Sequence, residues 1–187
     1  MRKHIVTLLL AGCACGSLAC AQSDSALSSA DRMFVNKAAQ GGMAEVQLGQ
    51  LAGQKGSSQA VKDFGQRMVT DHSQANDKLK GIASSKGIAI PTSLDAKDQA
   101  LYDRLSGLSG PAFDKAYMRA MLKDHKTDIA EFQKESNSGH DQDIRSFASS
   151  TLPTLQEHLH MAQQTESKLG TSATAEANHT DESALQR

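Results

Sequence analysis

Four polar residues interrupt what are otherwise apolar helical stripes. Glu45, His72 and His125 each fall inside a run of apolar residues that recurs at three- and four-residue steps, and His158 lies at the edge of a fourth such run. A buried polar residue is the informative kind. One carboxylate and three imidazoles on facing helices would converge in the interior of a bundle, and that donor set suits a transition-metal ion. Met68-x-x-Asp71-His72 and Met121-x-x-Asp124-His125 repeat one local pattern, and Glu157-His158 is a related pair. An acid beside each histidine could orient a ring, although neighbours on a helix point about 100° apart and rarely bond each other. Met68 shares a face with His72, and Met121 with His125. Thioether with imidazole is a soft set that favours copper over iron.

The same residues have a structural reading. Methionines at helical spacing fill cores. A buried Glu45 needs a partner, which His72 or His125 could supply without any metal. Both readings stand at the level of sequence: an exported bundle that binds a transition metal through Glu45, His72, His125 and His158, the ion itself unassigned, or a structural or stress-related envelope protein that acts through its surface without metal.

Other chemistries find less support. Glu157-x-x-His160 has the spacing of di-iron bundles, but both residues point away from the Leu155–Leu159 stripe, and the second helix has no such motif. The ligand set for di-iron oxidase or ferroxidase chemistry is therefore incomplete. No Gly-rich phosphate loop and no nucleophile elbow occurs. No catalytic residue is assigned, and the reading leans towards a protein that is not an enzyme.

The segments that carry these residues read as four long helices. The first is expected over residues 29–52, with Ser28 or Ser29 as cap and Asp31 in its first turn. Gly41-Gly42 inside it either weakens the helix or lets another approach closely. The second helix is expected over 58–86, ended by Gly87. A long connection follows, with a short helix over 95–105. The third helix runs from Pro111 to about Ser136, and the fourth from Asp141 to about Leu169, with a kink at Pro153. Residues 22–28 read as loose and 170–187 as a disordered tail. The expected fold is all-α, a four-helix bundle over residues 29–169 with a short extra helix in the crossover between its second and third long helices. That crossover implies that those two run parallel, as in ferritin-like bundles.

The N-terminus reads as a secretory leader. Arg2 and Lys3 precede an apolar run from Ile5 to Ala14, and Ala19-Cys20-Ala21 supplies small residues for a cut before Gln22. This makes residues 1–21 a signal peptide and the mature chain periplasmic or secreted. The alternative is lipidation at Cys13 within Leu10-Ala11-Gly12-Cys13. All three cysteines lie in this leader, so cleavage leaves no thiol chemistry and no disulfide. A net charge of -1 gives no basic patch for nucleic acid, and the mature chain has no apolar run long enough to span a membrane. Only 4% of residues are aromatic and tryptophan is absent, which suits helix packing better than a sheet.

Four segments carry a family resemblance: "FVNKAAQGGMAEVQLGQLA" from Phe34, "VKDFGQRMVTDHSQANDKL", "AFDKAYMRAMLKDHKTDIAEFQKE" and "TLPTLQEHLHMA". With them the chain, from about Asp31 to Gln164, resembles the bacterial exported ferritin-like family known as domain of unknown function 4142. Its members are often labelled periplasmic or outer-membrane proteins. The resemblance implies a ferritin-like four-helix fold and a location outside the inner membrane. It implies no activity and no ligand list. An integral outer-membrane barrel does not fit, because no alternating strand pattern is present.

Overall fold

The structure, a computed structural model, describes the backbone of residues 27–185 and the side chains of residues 27–171. The expected leader, Cys13 within it, and residues 22–26 lie outside that range. Five helices follow one another: α1 (Ser29–Lys55), α2 (Gln59–Ser85), α3 (Ala96–Ser106), α4 (Gly110–Ser138) and α5 (Gln142–Leu185). No strand occurs among the described residues.

Local chemistry sets the helix ends. The Ser28 hydroxyl accepts from the Asp31 N–H at 3.0 Å, and the Asp95 carboxylate accepts from the Asp98 N–H at 2.8 Å, so each caps free donors of a first turn. Pro111 sits in the first turn of α4, where its missing N–H costs nothing. Gly87, at φ 63°, follows α2 in the left-handed conformation that favours glycine.

Two apolar clusters fill the bundle. Leu48, Val61, Phe64, Met68, Phe113, Tyr117, Met121 and Ala162 meet at one end. Phe34, Val35, Leu79, Phe132, Ile144 and Phe147 meet at the other. The starts of α2 and α4 therefore share one end with the finish of α1 and the middle of α5. α1 and α2 form one antiparallel hairpin, α4 and α5 form the second, and α2 and α4 run parallel, as the long crossover implied. Burying each large apolar side chain contributes about 1.5–3 kcal/mol.

α1 and α2 pack very closely where Gly49 crosses Gly65. A Cβ on Gly65 would lie 2.7 Å from the Ala52 Cβ and 2.8 Å from the Gly49 carbonyl oxygen. Of the Gly41-Gly42 pair, only Gly42 faces a neighbour, since its Cβ would meet the Asn76 side chain, while Gly41 has open space.

The two hairpins are locked in the same way. Asp31, at the start of α1, accepts from the backbone N–H groups of His140 and Asp141 in the α4–α5 turn, at 3.1 and 3.0 Å. Asp114, at the start of α4, accepts from those of Ser57 and Ser58 in the α1–α2 turn, at 3.1 and 2.8 Å. Gly56 and Gly139 end α1 and α4 with nearly the same backbone angles. The step along the chain from Asp31 to Asp114 is the same as from Gly56 to Gly139, so one half of the bundle repeats the other.

Two boundaries differ from the sequence reading. α1 continues past Ala52 to Lys55 and stops where Gly56 turns extended. α5 does not end at Leu169. It runs to Leu185, where residues 170–187 were expected to be a disordered tail. Extending a formed helix needs no new nucleus, and Gly170 is the one helix breaker in that stretch. Pro153 is exposed and α5 passes through it unbroken.

Candidate metal centre

Between the two apolar clusters lies a polar layer. Glu45, His72, His125 and His158 come one from each long helix and are 1%, 6%, 0% and 0% exposed. The structure thus brings together the four positions singled out in the sequence. One ring nitrogen from each histidine lies within 4.8 Å of the others. The Glu45 carboxylate sits against them, with Oε2 2.8 Å from His72 Nδ1 and Oε1 3.3 Å from His125 Nε2. Neither contact is aligned as a hydrogen bond. Both Glu45 oxygens and His72 Nε2 are buried polar atoms with no hydrogen-bond partner.

The other two rings have their tautomers set by what they touch. His125 Nδ1 lies 3.0 Å from the Met121 carbonyl oxygen, which can only accept, so Nδ1 carries the proton. His158 Nε2 lies 2.8 Å from Asp71 Oδ2. Asp71 is an ionised acceptor: burial opposes its ionisation, but hydrogen bonds from Arg67 and His158 hold its carboxyl below the usual range. His158 Nε2 therefore carries the proton of that ring. The two remaining nitrogens, His125 Nε2 and His158 Nδ1, face each other at 3.3 Å. With both rings neutral, neither has a proton to give, so this contact is two lone pairs rather than a hydrogen bond.

Electrostatics keep the rings neutral. Burial pushes the His72 pKa down to about 4, and it lowers His125 and His158 as well, against the nearby carboxylates of Glu45 and Asp71. Burial also raises the Glu45 carboxyl, with Asp124 and Asp98 adding to the effect and His125 opposing it. A layer of uncharged imidazoles and an unsatisfied carboxyl could hold a transition-metal ion.

Asp71 works differently from the sequence expectation. It does not orient its neighbour His72 but reaches across the bundle from α2 to His158 on α5. Asp128 was missed, and Asp124 was noted only as the acid beside His125. Asp124 and Asp128 on α4 each bring a carboxylate oxygen within 4.8 Å of one from Glu45. Their signal was present in the sequence, since Asp128 is three residues after His125 and four after Asp124. Glu157 and His160 are exposed, as the wheel indicated. Met68 and Met121 are fully buried in an apolar cluster, and it is the carbonyl of Met121 that meets His125.

A cleft of about 130 Å³ between α2 and α5 leads from exposed Arg67, Gln74 and Lys78 to His72 and His158. No described helix is long and apolar enough to cross a membrane.

Residues 17–165 match the model of the family described as domain of unknown function DUF4142, and the chain belongs to that family. No curated protein matches the sequence significantly. Among solved structures, the chain is similar to a DUF305 fragment from Deinococcus radiodurans, with a TM-score of 0.66 and 12% identity over 78% of this chain and 98% of that one. It is also similar to CopM in the Cu(I)-bound form, with a TM-score of 0.60 and 12% identity over 72% of this chain and 93% of that one. At such identity the likeness shows the helical-bundle fold alone.

Proposed function

We propose that this member of the DUF4142 family is a metal-binding bundle that takes one transition-metal ion, copper being the first to test, between His72, His125 and His158, with Glu45 beside them. The observation that carries this reading is the bare contact between His125 Nε2 and His158 Nδ1 at 3.3 Å. Two buried lone pairs turned towards each other repel, and a cation between them turns that repulsion into two bonds. Ligands about 2.0–2.1 Å from a metal lie about 3.3–3.6 Å apart in tetrahedral or trigonal geometry, which fits the separation found.

The outer contacts support the same reading. Asp71 on His158 and the Met121 carbonyl on His125 are the kind of partners that fix a ligand's tautomer and raise its basicity. The copper-bound form of a neighbour of the same fold makes copper the natural first ion. Glu45 would become ionised as the cation arrived and neutralise part of its charge. The leader expected at residues 1–21 supports a role outside the cytoplasm.

The test is metal analysis of residues 22–187 purified without chelator or histidine tag, beside His72→Ala/His125→Ala. Near-stoichiometric metal that is lost in the double variant is expected. A metal-free wild type that takes up neither copper nor zinc on dialysis would leave these residues as a buried polar network and sink the proposal.

A further inference from the structure

We propose a second cation site beside the histidines, built from Glu45, Asp124 and Asp128 and suited to a hard divalent ion such as Mn²⁺. One carboxylate oxygen from each of the three residues lies within 4.8 Å of the others. Asp124 and Asp128 are one turn apart on α4, and Glu45 meets them from α1. Three carboxylates are an oxygen-donor set, which suits Mn²⁺, Mg²⁺ or Ca²⁺ rather than copper.

An acidic cluster alone would mean little, but here a second observation points inward. Glu45 is 1% exposed and neither of its oxygens has a hydrogen-bond partner. Leaving such a group unsatisfied costs about 1–3 kcal/mol or more, so a missing partner is expected. The protein supplies little positive charge to play that part. Lys97 touches Asp124 only at 4.0 Å and is itself largely exposed, Lys37 on the neighbouring cavity is engaged by Glu131, and among the described residues no lysine or arginine pairs with Glu45 or Asp128. There is also room beside two of the three carboxylates: a cavity of about 30 Å³ is lined by Glu45 and Asp128, together with Lys37, Gly42, His72 and Asn76, while Asp124 lies outside its lining. That is enough for one water or one small ion.

The repeat of the two hairpins supplies a reason for the pairing. The step from Asp31 to Asp114 also carries Glu45 onto Asp128, so each half of the bundle contributes a carboxylate at the same register. His125 and His158 correspond to Gly42 and Ala75 and have no counterpart in the other half. The oxygen cluster thus follows the internal symmetry of the fold, whereas the histidine cluster breaks it. This inference shares Glu45 with the proposed histidine site but does not require that site to be filled.

The experiment is a titration of the metal-free chain with Mn²⁺ alone, followed by the loss of the free-ion electron paramagnetic resonance signal. It is repeated with Asp124→Asn/Asp128→Asn and with His125→Ala/His158→Ala. The wild type and the histidine variant are expected to bind one Mn²⁺ per chain with affinities within about threefold. The asparagine variant should bind at least tenfold more weakly, yet keep its copper. Asparagine is nearly isosteric and removes like charges, and circular dichroism verifies that this variant is folded. No Mn²⁺ bound by the wild type, or equal binding by the asparagine variant, overturns the oxygen site. Loss of Mn²⁺ binding in the histidine variant, with that variant folded, overturns its separateness. Absence of copper binding with Mn²⁺ binding intact would count against the histidine site alone.

Discussion

At the residue scale, orientation matters more than identity. His158 is useful to an ion only if its proton sits on Nε2, and Asp71 holds it there from the facing helix at 2.8 Å. Replacing Asp71 with Asn keeps the size but removes the charge, and the amide can turn its NH₂ towards the ring. Asp71→Asn is expected to weaken metal binding about 10–100-fold in a chelator competition, with little loss of fold. An unchanged affinity would mean that His158 is not a ligand. The four central positions were legible in the sequence because a helical wheel flags polar residues on an apolar face. The partner of Asp71 was not, because a wheel describes one helix, while His158 comes from another. The grouping of Asp124 and Asp128 escaped for a related reason: it becomes notable only when Glu45 arrives from α1.

The elements place these side chains by close packing of α1 on α2. Gly65 makes that packing possible, because its Cβ would meet the backbone of Gly49 and the Cβ of Ala52. Gly65→Ala gains about 1 kcal/mol in helix propensity but forces a shift of backbone, which costs about 1–3 kcal/mol. It is expected to lower Tm, whereas Gly41→Ala, with open space around it, should raise stability by about 0.5–1 kcal/mol. Thermal melts of the two variants check the pair, and a rise for both would refute the close crossing. Caps, turn glycines and apolar periodicity made the five helices and the parallel run of α2 and α4 readable in advance. The repeat of the hairpins was hidden, because its strongest marks are Asp31 and Asp114 acting on distant backbone. The sequence likeness between halves is eroded elsewhere, as where Gly42 corresponds to His125. The end of α5 was misjudged since composition argues about burial and not about whether a formed helix continues.

On the scale of the whole molecule, a buried polar layer makes metal-free stability depend on pH in two opposed ways. Burial raises the Glu45 carboxyl to about 8, so its contribution is complete below its unfolded value and is lost as pH rises through 8. Asp128, raised by burial and by Glu45 and Asp124, acts in the same direction. Burial lowers His72 to about 4, so its contribution is complete above about 6.5 and is lost as pH falls through 4. The Tm of the metal-free chain is therefore expected to fall on both sides of a mildly acidic plateau, and a bound cation should remove the alkaline fall. A Tm that climbs steadily to pH 9 would show that the Glu45 carboxyl is not buried as described. The most direct test of the central claim is a ¹⁵N spectrum of the imidazole nitrogens during titration of the metal-free chain with Cu(I). The account predicts that His125 Nε2 and His158 Nδ1 begin as bare nitrogens and shift together, complete at one equivalent, while exposed His140 and His160 stay still. Shifts confined to His140 and His160, with the buried rings unmoved, would contradict it.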